Sequence, residues 1–252
     1  MGGNPPLALE LRLDAVGLVL YDGLSYSRAA RVLGISKTEV GYSVAMLLPR
    51  LAEVGVCQPD GSFVRSLCDL EEILSGMGAA GEAVCVDGLG THGQRPRKWG
   101  NQKPLYDVKR GKHTMQGGSV STVHGDLLWL AGAWPGSTPE QEMLVLSGLE
   151  DVLERSGVAA ILDRGFRGMA KGHEHWFVPT GDKRTKDRLT TDERTYNAPQ
   201  ARLRALVEQS IGHLANAWGM RRWRGRLARV QQVFYAVAAL VSLGRWVQRV
   251  PA

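Results

Sequence analysis

The sequence predicts an α/β protein, with a mixed sheet flanked by helices that follows a small all-α region. Residues 11–52 show the apolar spacing of helices, broken at Gly23 and Gly34. Strand-like apolar runs begin only after residue 82, at 83–87, 105–115, 118–124, 126–133 and 158–163. Helical segments lie between and after these strands, at 139–155, 198–217 and 229–247. This order is typical of a mixed sheet covered by helices, and it predicts two domains, 1–75 and 76–252.

The composition indicates an ordinary folded protein with an excess of positive charge. The 252 residues are 44% hydrophobic and 22% charged, with a net charge of +6 and a pI near 9.4.

The three cysteines include no CxxC pair, which argues against a disulfide framework or a zinc site and favours a reducing compartment. The first residues lack the layout of a secretory signal. The apolar stretch 233–244 is too short to span a bilayer and indicates a core helix.

The positive charge is concentrated in two segments, which favours a polyanionic partner. Seven Lys and Arg residues lie between 94 and 113, where Asp107 is the only acid, and residues 219–252 contain seven Arg and no acid. Clusters of this kind neutralise phosphates in nucleic-acid-binding proteins, although each cluster alone could be a solvated surface. Trp99 and Trp223 lie inside the clusters and could stack on bases or pack in the core.

Residues 25–47 show the pattern of a helix-turn-helix. Ser25 is expected to cap the first helix, Gly34 to form the turn and Ser36 to cap the second helix. Val40, Val44 and Leu47 then share one face of the second helix. Such a helix would present Lys37, Thr38, Glu39 and Tyr42 to a DNA groove. A helical hairpin used only for packing is the alternative.

Two aspartates end apolar runs in the same way. "AVCVDGLG" reaches Asp87 and "AAILDRGFRG" reaches Asp163, so both acids are expected at the C-terminal rim of a sheet, where ligands bind. If the two strands are neighbours, about 4.8 Å apart, the like charges require a proton or a cation between them. Mg2+ prefers carboxylate oxygens, so this pair in a basic protein indicates metal-assisted phosphoryl transfer on nucleic acid. The alternative is that each aspartate only caps a turn.

A third carboxylate is needed on a helix that faces this rim, and "RLRALVEQSIGHLANAW" supplies Glu208. Glu208 lies about 120° from the centre of the apolar stripe of that helix. Arg204 lies one turn earlier on the same side. The periodicity alone would make these two residues a solvated ion pair.

Several ordered motifs resemble those of one family. They are "VDGLGTHGQRP", "YDVKRGKHTMQ", "LLWLAGAWPGSTPEQEMLV", "ILDRGFRG" and "RLRALVEQSIGHLANAWGMRRWRGR". Together they resemble the bacterial DDE-type insertion-sequence transposases, in the harbinger-related branch described as DDE superfamily endonucleases. The resemblance covers nearly the whole chain and includes an N-terminal helix-turn-helix.

This resemblance implies an RNase H-like catalytic domain in which Asp87, Asp163 and Glu208 form the catalytic, metal-binding triad. It implies two Mg2+ or Mn2+ ions, phosphodiester hydrolysis at the element's ends and attack of the freed 3′-hydroxyl on target DNA. The implied partners are double-stranded DNA, as terminal inverted repeats and target, and further copies of the chain, as a homodimer or larger assembly. The implied location is the bacterial cytoplasm, at the nucleoid and away from membranes. Expected DNA contacts are Lys37, Thr38, Tyr42, Arg95, Lys109, Arg110, Lys112, His113, Arg204, Arg221 and Arg222.

Two positions depart from the family pattern. Glu140 stands where the family often has Asp, and Ala215 stands where a basic residue is usual. The loss of a basic phosphate contact leaves open a second interpretation, a catalytically impaired DNA-binding protein such as a decayed transposase or a repressor. A third interpretation is a nuclease that cuts DNA without joining strands.

Overall fold

The computed structural model describes residues 7–93, 95–181, 189–221, 223 and 225–249. Its α-helices are α1 Leu9–Leu20, α2 Tyr26–Leu33, α3 Lys37–Val54, α4 Leu67–Ala79, α5 Glu140–Ser147, α6 Leu149–Ser156, α7 Arg167–Ala170, α8 Thr191–Asn216, α9 Trp218–Arg221 and α10 Val230–Arg249. Its strands are β1 Val56–Cys57, β2 Phe63–Val64, β3 Ala83–His92, β4 Tyr106–Asp107, β5 Lys112–Thr122, β6 Leu127–Pro135, β7 Ala159–Leu162 and β8 Trp176–Phe177.

The caps and the turn of α2 and α3 lie where the sequence predicts, whereas α1 begins at Leu9 rather than at residue 11 and ends at Leu20, before Gly23. The Ser25 side chain accepts a hydrogen bond from the backbone N–H of Arg28 at the start of α2. Gly34 ends α2 in the left-handed conformation, with φ 67°. Ser36 and Glu39 form a reciprocal capping box at the start of α3. The predicted caps and turn are therefore confirmed, and Glu39 is engaged in the cap.

The small-residue stretch 74–83, which from the sequence alone suits a linker or a strand entry, is helical over its first six residues. Residues 67–79 form helix α4, which begins at a capping box between Ser66 and Asp69. Leu70 and Leu74 are buried where α4 packs against α6. The small residues that suggested a linker lie at the C-terminal end of this helix, where Gly78 approaches the backbone of residues 156–158 closely.

The main sheet has the strand order β6-β5-β3-β7-β8, with β4 beside the first residues of β5. Strands β6, β5 and β3 are antiparallel neighbours, whereas β7 and β8 run parallel to β3. Three antiparallel strands followed by two parallel ones is the RNase H-like topology, so the predicted fold class is confirmed.

Two strand boundaries differ from the prediction. Strand β3 does not end at Asp87 but continues to His92, because β5 pairs with it along the full length. The predicted strands 105–115 and 118–124 are instead the short β4 and the single strand β5. Gly117 lies within β5, at a register shift in the pairing of β5 with β6. The backbone of Ala131 and the ring of Phe234 approach so closely there that no side chain would fit.

Three helices also differ from their predicted bounds. The segment 139–155 forms α5 and α6, because Gly148 between them adopts the left-handed conformation, and Pro139 is the N-cap residue rather than part of the first turn. Helix α8 begins earlier than predicted, because Thr190 and Glu193 form a capping box. This earlier start makes α8 26 residues long, and Arg204 and Glu208 lie on it as predicted.

Helix α10 is a core helix, as the stretch 233–244 predicts. Val233, Phe234 and Val237 are buried, and α10 contacts α3 and β6. Within the described parts of the chain, residues 227–249 are also the one helical segment long and apolar enough to cross a membrane by length and composition. Side chains of α1, α3, α10 and the sheet belong to one continuous apolar cluster. The division into domains at residue 75 stays a prediction.

Candidate active site

Strand register brings Asp87 and Asp163 together. The parallel pairing of β3 with β7 ends at Val86 opposite Leu162, so the next residue on each strand is an aspartate. Strands are spaced about 4.8 Å apart, which makes the two carboxylates neighbours at this rim of the sheet. Asp87 still pairs with Ser119 on its other side, and the Ser119 hydroxyl donates to the Asp87 backbone carbonyl at 3.1 Å. The predicted neighbouring arrangement of the two acids is therefore present.

A cationic side chain from α8 contacts this pair. Arg204 donates a hydrogen bond from its guanidinium to Asp163 Oδ1 at 3.0 Å, and only about a quarter of each side chain is exposed (21% and 27%). The same Asp163 oxygen accepts the backbone N–H of Arg164 at 2.6 Å. The Arg204 guanidinium thus supplies the positive charge that offsets the repulsion between the two neighbouring carboxylates. The family resemblance implies that Arg204 orients Glu208 or touches the DNA backbone, and in this structure its guanidinium contacts Asp163.

The surroundings of Asp87 favour its protonated form. Burial raises the pKa of this carboxyl above its ordinary value, and the negative charges of Asp163 and Glu140 raise the pKa further. The N–H of Gly88, which donates to Asp87 Oδ1 at 2.7 Å, and the charge of Arg204 lower the pKa in part. The site therefore has an excess of negative charge that a bound cation would relieve.

Glu140 is a fourth acid at this site, and the sequence motifs did not assign it a role there. Its carboxyl group lies where a side chain on Gly165 would stand, and beside the position that a side chain on Gly88 would take. Gly88 follows Asp87 directly, and Gly165 is two residues after Asp163. Gly165 therefore leaves room for the Glu140 carboxyl group, whereas Gly88 lies at an ordinary contact distance from it. A signal was present in the sequence, since the family often places an acid at this position.

Glu208 is exposed to solvent in this conformation. It lies on α8 one turn beyond Arg204, so the two residues differ by about 40° around the helix axis. Within the described ranges, no three His, Cys, Asp or Glu side chains are close enough together to hold a metal ion. Asp87, Asp163 and Glu140 nevertheless offer only oxygen donors, which suit a hard divalent cation, at a position where a guanidinium already supplies positive charge.

The basic residues before and on β5 extend away from this site along the strand, and Lys109 contacts one of its acids. Lys109 Nζ contacts Glu140 Oε1 at 3.1 Å, with 77% of the lysine side chain exposed. Arg110 contacts Asp107 at 3.1 Å and lies over Gly90 of β3. Lys112 is exposed and His113 is half-buried, edge-on to Tyr106 with ring centroids 5.5 Å apart.

The other predicted DNA contacts occupy different parts of the surface. Lys37, Thr38 and Tyr42 are exposed on the first turns of α3, where Arg12 lies over the Tyr42 ring. Arg95 is exposed, and its Nε donates to Gln102 at 3.0 Å. Arg221 is exposed at the end of α9, whereas Arg222 lies outside the described residues.

The RNase H-like sheet with two aspartates side by side at its rim defines the class of protein. Residues 86–242 match the family model of the DDE superfamily endonucleases. The chain belongs to this family, whose members act with divalent metal ions. The family predicted from the sequence motifs is therefore confirmed.

A comparison of backbone structures finds three solved structures of Mos1 transposase that are similar to this chain. The strand transfer complex matches at 15% identity and a TM-score of 0.28, covering 99% of this chain and 79% of the other. The paired-end complex with left transposon end has 15% identity, a TM-score of 0.24 and coverages of 99% and 80%. The pre-cleavage transpososome has 14% identity, a TM-score of 0.25 and the same coverages. These values are too low to support a function. No curated protein matches the chain significantly.

Proposed function

We propose that this protein is a transposase that binds the ends of a bacterial insertion sequence and catalyses metal-dependent DNA cleavage and strand transfer. The observation that carries the proposal is the register of β3 with β7, which puts Asp87 and Asp163 side by side. Family membership supports the endonuclease chemistry. The basic segment 95–112, in which Lys109 contacts Glu140, supports a DNA substrate.

Asp87, Asp163 and Glu208 would hold the metal, and Glu140 is a further oxygen donor within the same rim. Mg2+ or Mn2+, as two ions, would activate the attacking oxygen and stabilise the leaving oxygen of the phosphodiester. Burial is the main cause of the raised pKa of Asp87, and the charges of Asp163 and Glu140 raise it further. These two negative charges would also attract a divalent cation.

Arg204 would exchange partners when DNA binds. In the described conformation it neutralises Asp163. A guanidinium binds a phosphate in a bidentate manner, so the DNA backbone competes with Asp163 for Arg204. Release of Asp163 would free its carboxylate for the metal, and a shift of α8 would bring Glu208, one turn further along, towards the rim. Arg204 would thereby couple DNA binding to assembly of the site.

The exposed cations would position the DNA backbone. Lys109, Arg110, Lys112 and His113 lie beside β5, and Lys109 already reaches Glu140. Arg95, Arg221 and Arg222 would extend this phosphate track, and Lys37, Thr38 and Tyr42 would contact the terminal repeats. Two ends must be joined in one complex, so the working form would be a homodimer or larger assembly on DNA.

A plasmid assay tests the proposal. The purified protein is incubated with Mn2+ and a supercoiled plasmid that carries the DNA flanking its gene on both sides. We expect nicks at discrete positions and joined products with a second plasmid. Both products should disappear in Asp163→Asn, which should still retard the flanking duplex in a gel. Random nicks that persist in Asp163→Asn would overturn the proposal.

A DNA-binding protein without cleavage activity is the second candidate. The exposure of Glu208 and the Arg204–Asp163 contact favour it, as does Ala215 where the family usually has a basic residue. Sequence-specific retardation of the flanking duplex without any metal-dependent cut would support this candidate. Cuts without joined products would indicate a stand-alone nuclease.

A further inference from the structure

The segment between β3 and β5 carries an exposed groove that the proposed chemistry does not use. This groove, here called the aromatic groove, has a volume of about 830 Å³, within the size range of pockets for organic ligands. Residues of mixed aromatic, apolar and basic character line it, among them Arg95, Trp99, Lys103, Tyr106, Val108 and His113.

The groove is built on an ordered loop. Gln102 is buried, accepts a hydrogen bond from Arg95 Nε at 3.0 Å and donates one to the Pro96 carbonyl at 2.8 Å. Leu105 is also buried, and β4 ties the end of the loop to β5. These contacts fix the backbone on both sides of Trp99, so the groove exists before any ligand binds.

The apolar side chains of the groove are exposed. Trp99 is 76% exposed, Val108 83% and Tyr106 42%. A contiguous exposed apolar surface of this kind is typical of a binding site. Tyr106 and His113 meet edge to face at 5.5 Å, which leaves the Trp99 indole as a free aromatic surface beside a second aromatic pair.

The charge around these rings selects the ligand. Seven Lys and Arg residues lie within 95–112, and the single acid, Asp107, is buried and paired with Arg110. An occupant must therefore combine flat apolar faces with negative charge. A single-stranded nucleic acid has this combination, because its bases stack on aromatic rings while its phosphates contact lysine and arginine. A duplex keeps its bases stacked on each other and cannot offer their faces.

The groove is continuous with the candidate active site. A smaller hollow of about 240 Å³ shares Tyr106, Val108 and Ser137 with the aromatic groove. Its lining also includes Lys109 and Glu140, and Glu140 lies beside Gly88 and Gly165 at the acids. A DNA strand can thus run from the acids along Lys109 to Trp99.

We propose that the aromatic groove binds unpaired bases of the DNA strand that passes the candidate active site, with Trp99 as the stacking surface. This inference rests on the proposed function, because it assigns a place to the strand on which that chemistry would act.

Binding without metal tests the inference separately from cleavage. Fluorescence anisotropy in EDTA compares a labelled oligothymidylate of about 15 nucleotides with a duplex of equal length. We expect Trp99→Ala to weaken single-strand binding roughly tenfold and to leave duplex binding unchanged, whereas Trp99→Phe keeps most of the affinity. Tyr21→Ala, which removes another exposed ring (46% exposed), serves as the matched control and should change neither affinity.

A second variant keeps the test decisive if Trp99→Ala fails to fold. Val108→Glu changes an exposed side chain and places a negative charge in the groove, so it should also weaken single-strand binding without lowering the melting temperature. Equal losses for single strand and duplex, or no loss in either variant, would overturn the inference. A change from dimer to monomer in Trp99→Ala would instead assign the groove to a second copy of the chain. Trp99-dependent single-strand binding without any cleavage would refute the proposed function and leave the groove in place.

Discussion

Arg204 of α8 donates a hydrogen bond to Asp163 at the end of β7, at 3.0 Å. The Arg204 charge also lowers the pKa of the neighbouring Asp87. One guanidinium therefore compensates two acids that the strand register forces together, and it does so where a divalent cation would have to bind.

Removal of this internal cation should strengthen metal binding. Arg204→Gln removes one cationic partner from Asp163, so Mn2+ no longer competes with the Arg204 guanidinium. We expect the Mn2+ affinity in the absence of DNA to rise several-fold, measured by isothermal titration calorimetry at pH 8, where carboxyls are ionised. Cleavage should nevertheless fall, because Arg204 is expected to bind DNA phosphate.

The matched control for this prediction is Arg202→Gln. Arg202 is exposed on the same helix, so its replacement changes the net charge equally and removes no contact with Asp163. Equal effects of the two substitutions on Mn2+ affinity would mean that only overall charge matters and would contradict the competition.

Replacement of Asp87 should stabilise the protein in the absence of metal. The folded state raises the pKa of this carboxyl above its ordinary value of 3.8, so the folded state holds the proton more tightly than the unfolded chain. As the pH rises from 4, the unfolded chain ionises first, and stability falls until folded Asp87 ionises too. Asp87→Asn removes this loss, which is about 1.4 kcal/mol for each unit by which the pKa is raised.

Thermal unfolding in EDTA between pH 4 and pH 8 measures whether Asp87→Asn raises or lowers the stability of the protein. Asp87→Asn should melt above the wild type at pH 8, and the difference should shrink as the pH falls. Asp60→Asn is the control of opposite sign, because hydrogen bonds from Ser62 lower the pKa of Asp60. Its replacement should lower the melting temperature at pH 8. A destabilised Asp87→Asn at pH 8 would refute the electrostatic description of the site.

The sequence predicts the two aspartates well, because the signal is local: an apolar run that stops on an acid. It also predicts the caps at Ser25 and Ser36, where a side chain bonds to backbone three residues away. The sequence does not predict features that depend on contacts between segments far apart in the chain. The extension of β3 to His92 depends on pairing with β5, and Glu140 approaches Gly165 only because α5 packs beside the rim.

Glu208 shows the limit of periodicity. The spacing along the helix predicts a polar residue near Arg204, and the structure has Glu208 exposed one turn from the Arg204–Asp163 contact. In the proposed function, Glu208 would reach the rim once Arg204 exchanges Asp163 for a DNA phosphate. A pattern within one helix carries no information on that exchange.

Glu208→Gln should impair DNA cleavage without changing the stability of the free protein. The side chain is exposed in the described conformation, so the melting temperature should stay within about 2 °C of the wild type. Plasmid cleavage should fall at least a hundredfold if Glu208 completes the site on DNA. Glu193→Gln, which alters the capping box at the start of the same helix, controls for effects on α8 itself and should lower stability more than cleavage.

Gly165 should tolerate alanine structurally but not functionally. Its backbone has no positive φ, and the atom that an added methyl group would meet is a carboxyl oxygen at the end of the flexible Glu140 side chain. Gly165→Ala should therefore change the free energy of unfolding by less than about 1 kcal/mol. Displacement of Glu140 from the rim should weaken Mn2+ binding and cleavage roughly tenfold.

One control and two further variants test whether this effect acts through Glu140. Gly168→Ala is the nearby control, since its methyl group would meet Gln141 only at 3.5 Å, an ordinary contact distance, and both activities should persist. Glu140→Gln should reproduce the loss seen in Gly165→Ala, and the double variant should be no worse than either single one, because both remove the same carboxylate from the same place. Additive losses in the double variant would show that Gly165 acts independently of Glu140, and the fourth acid would then have no part in the site.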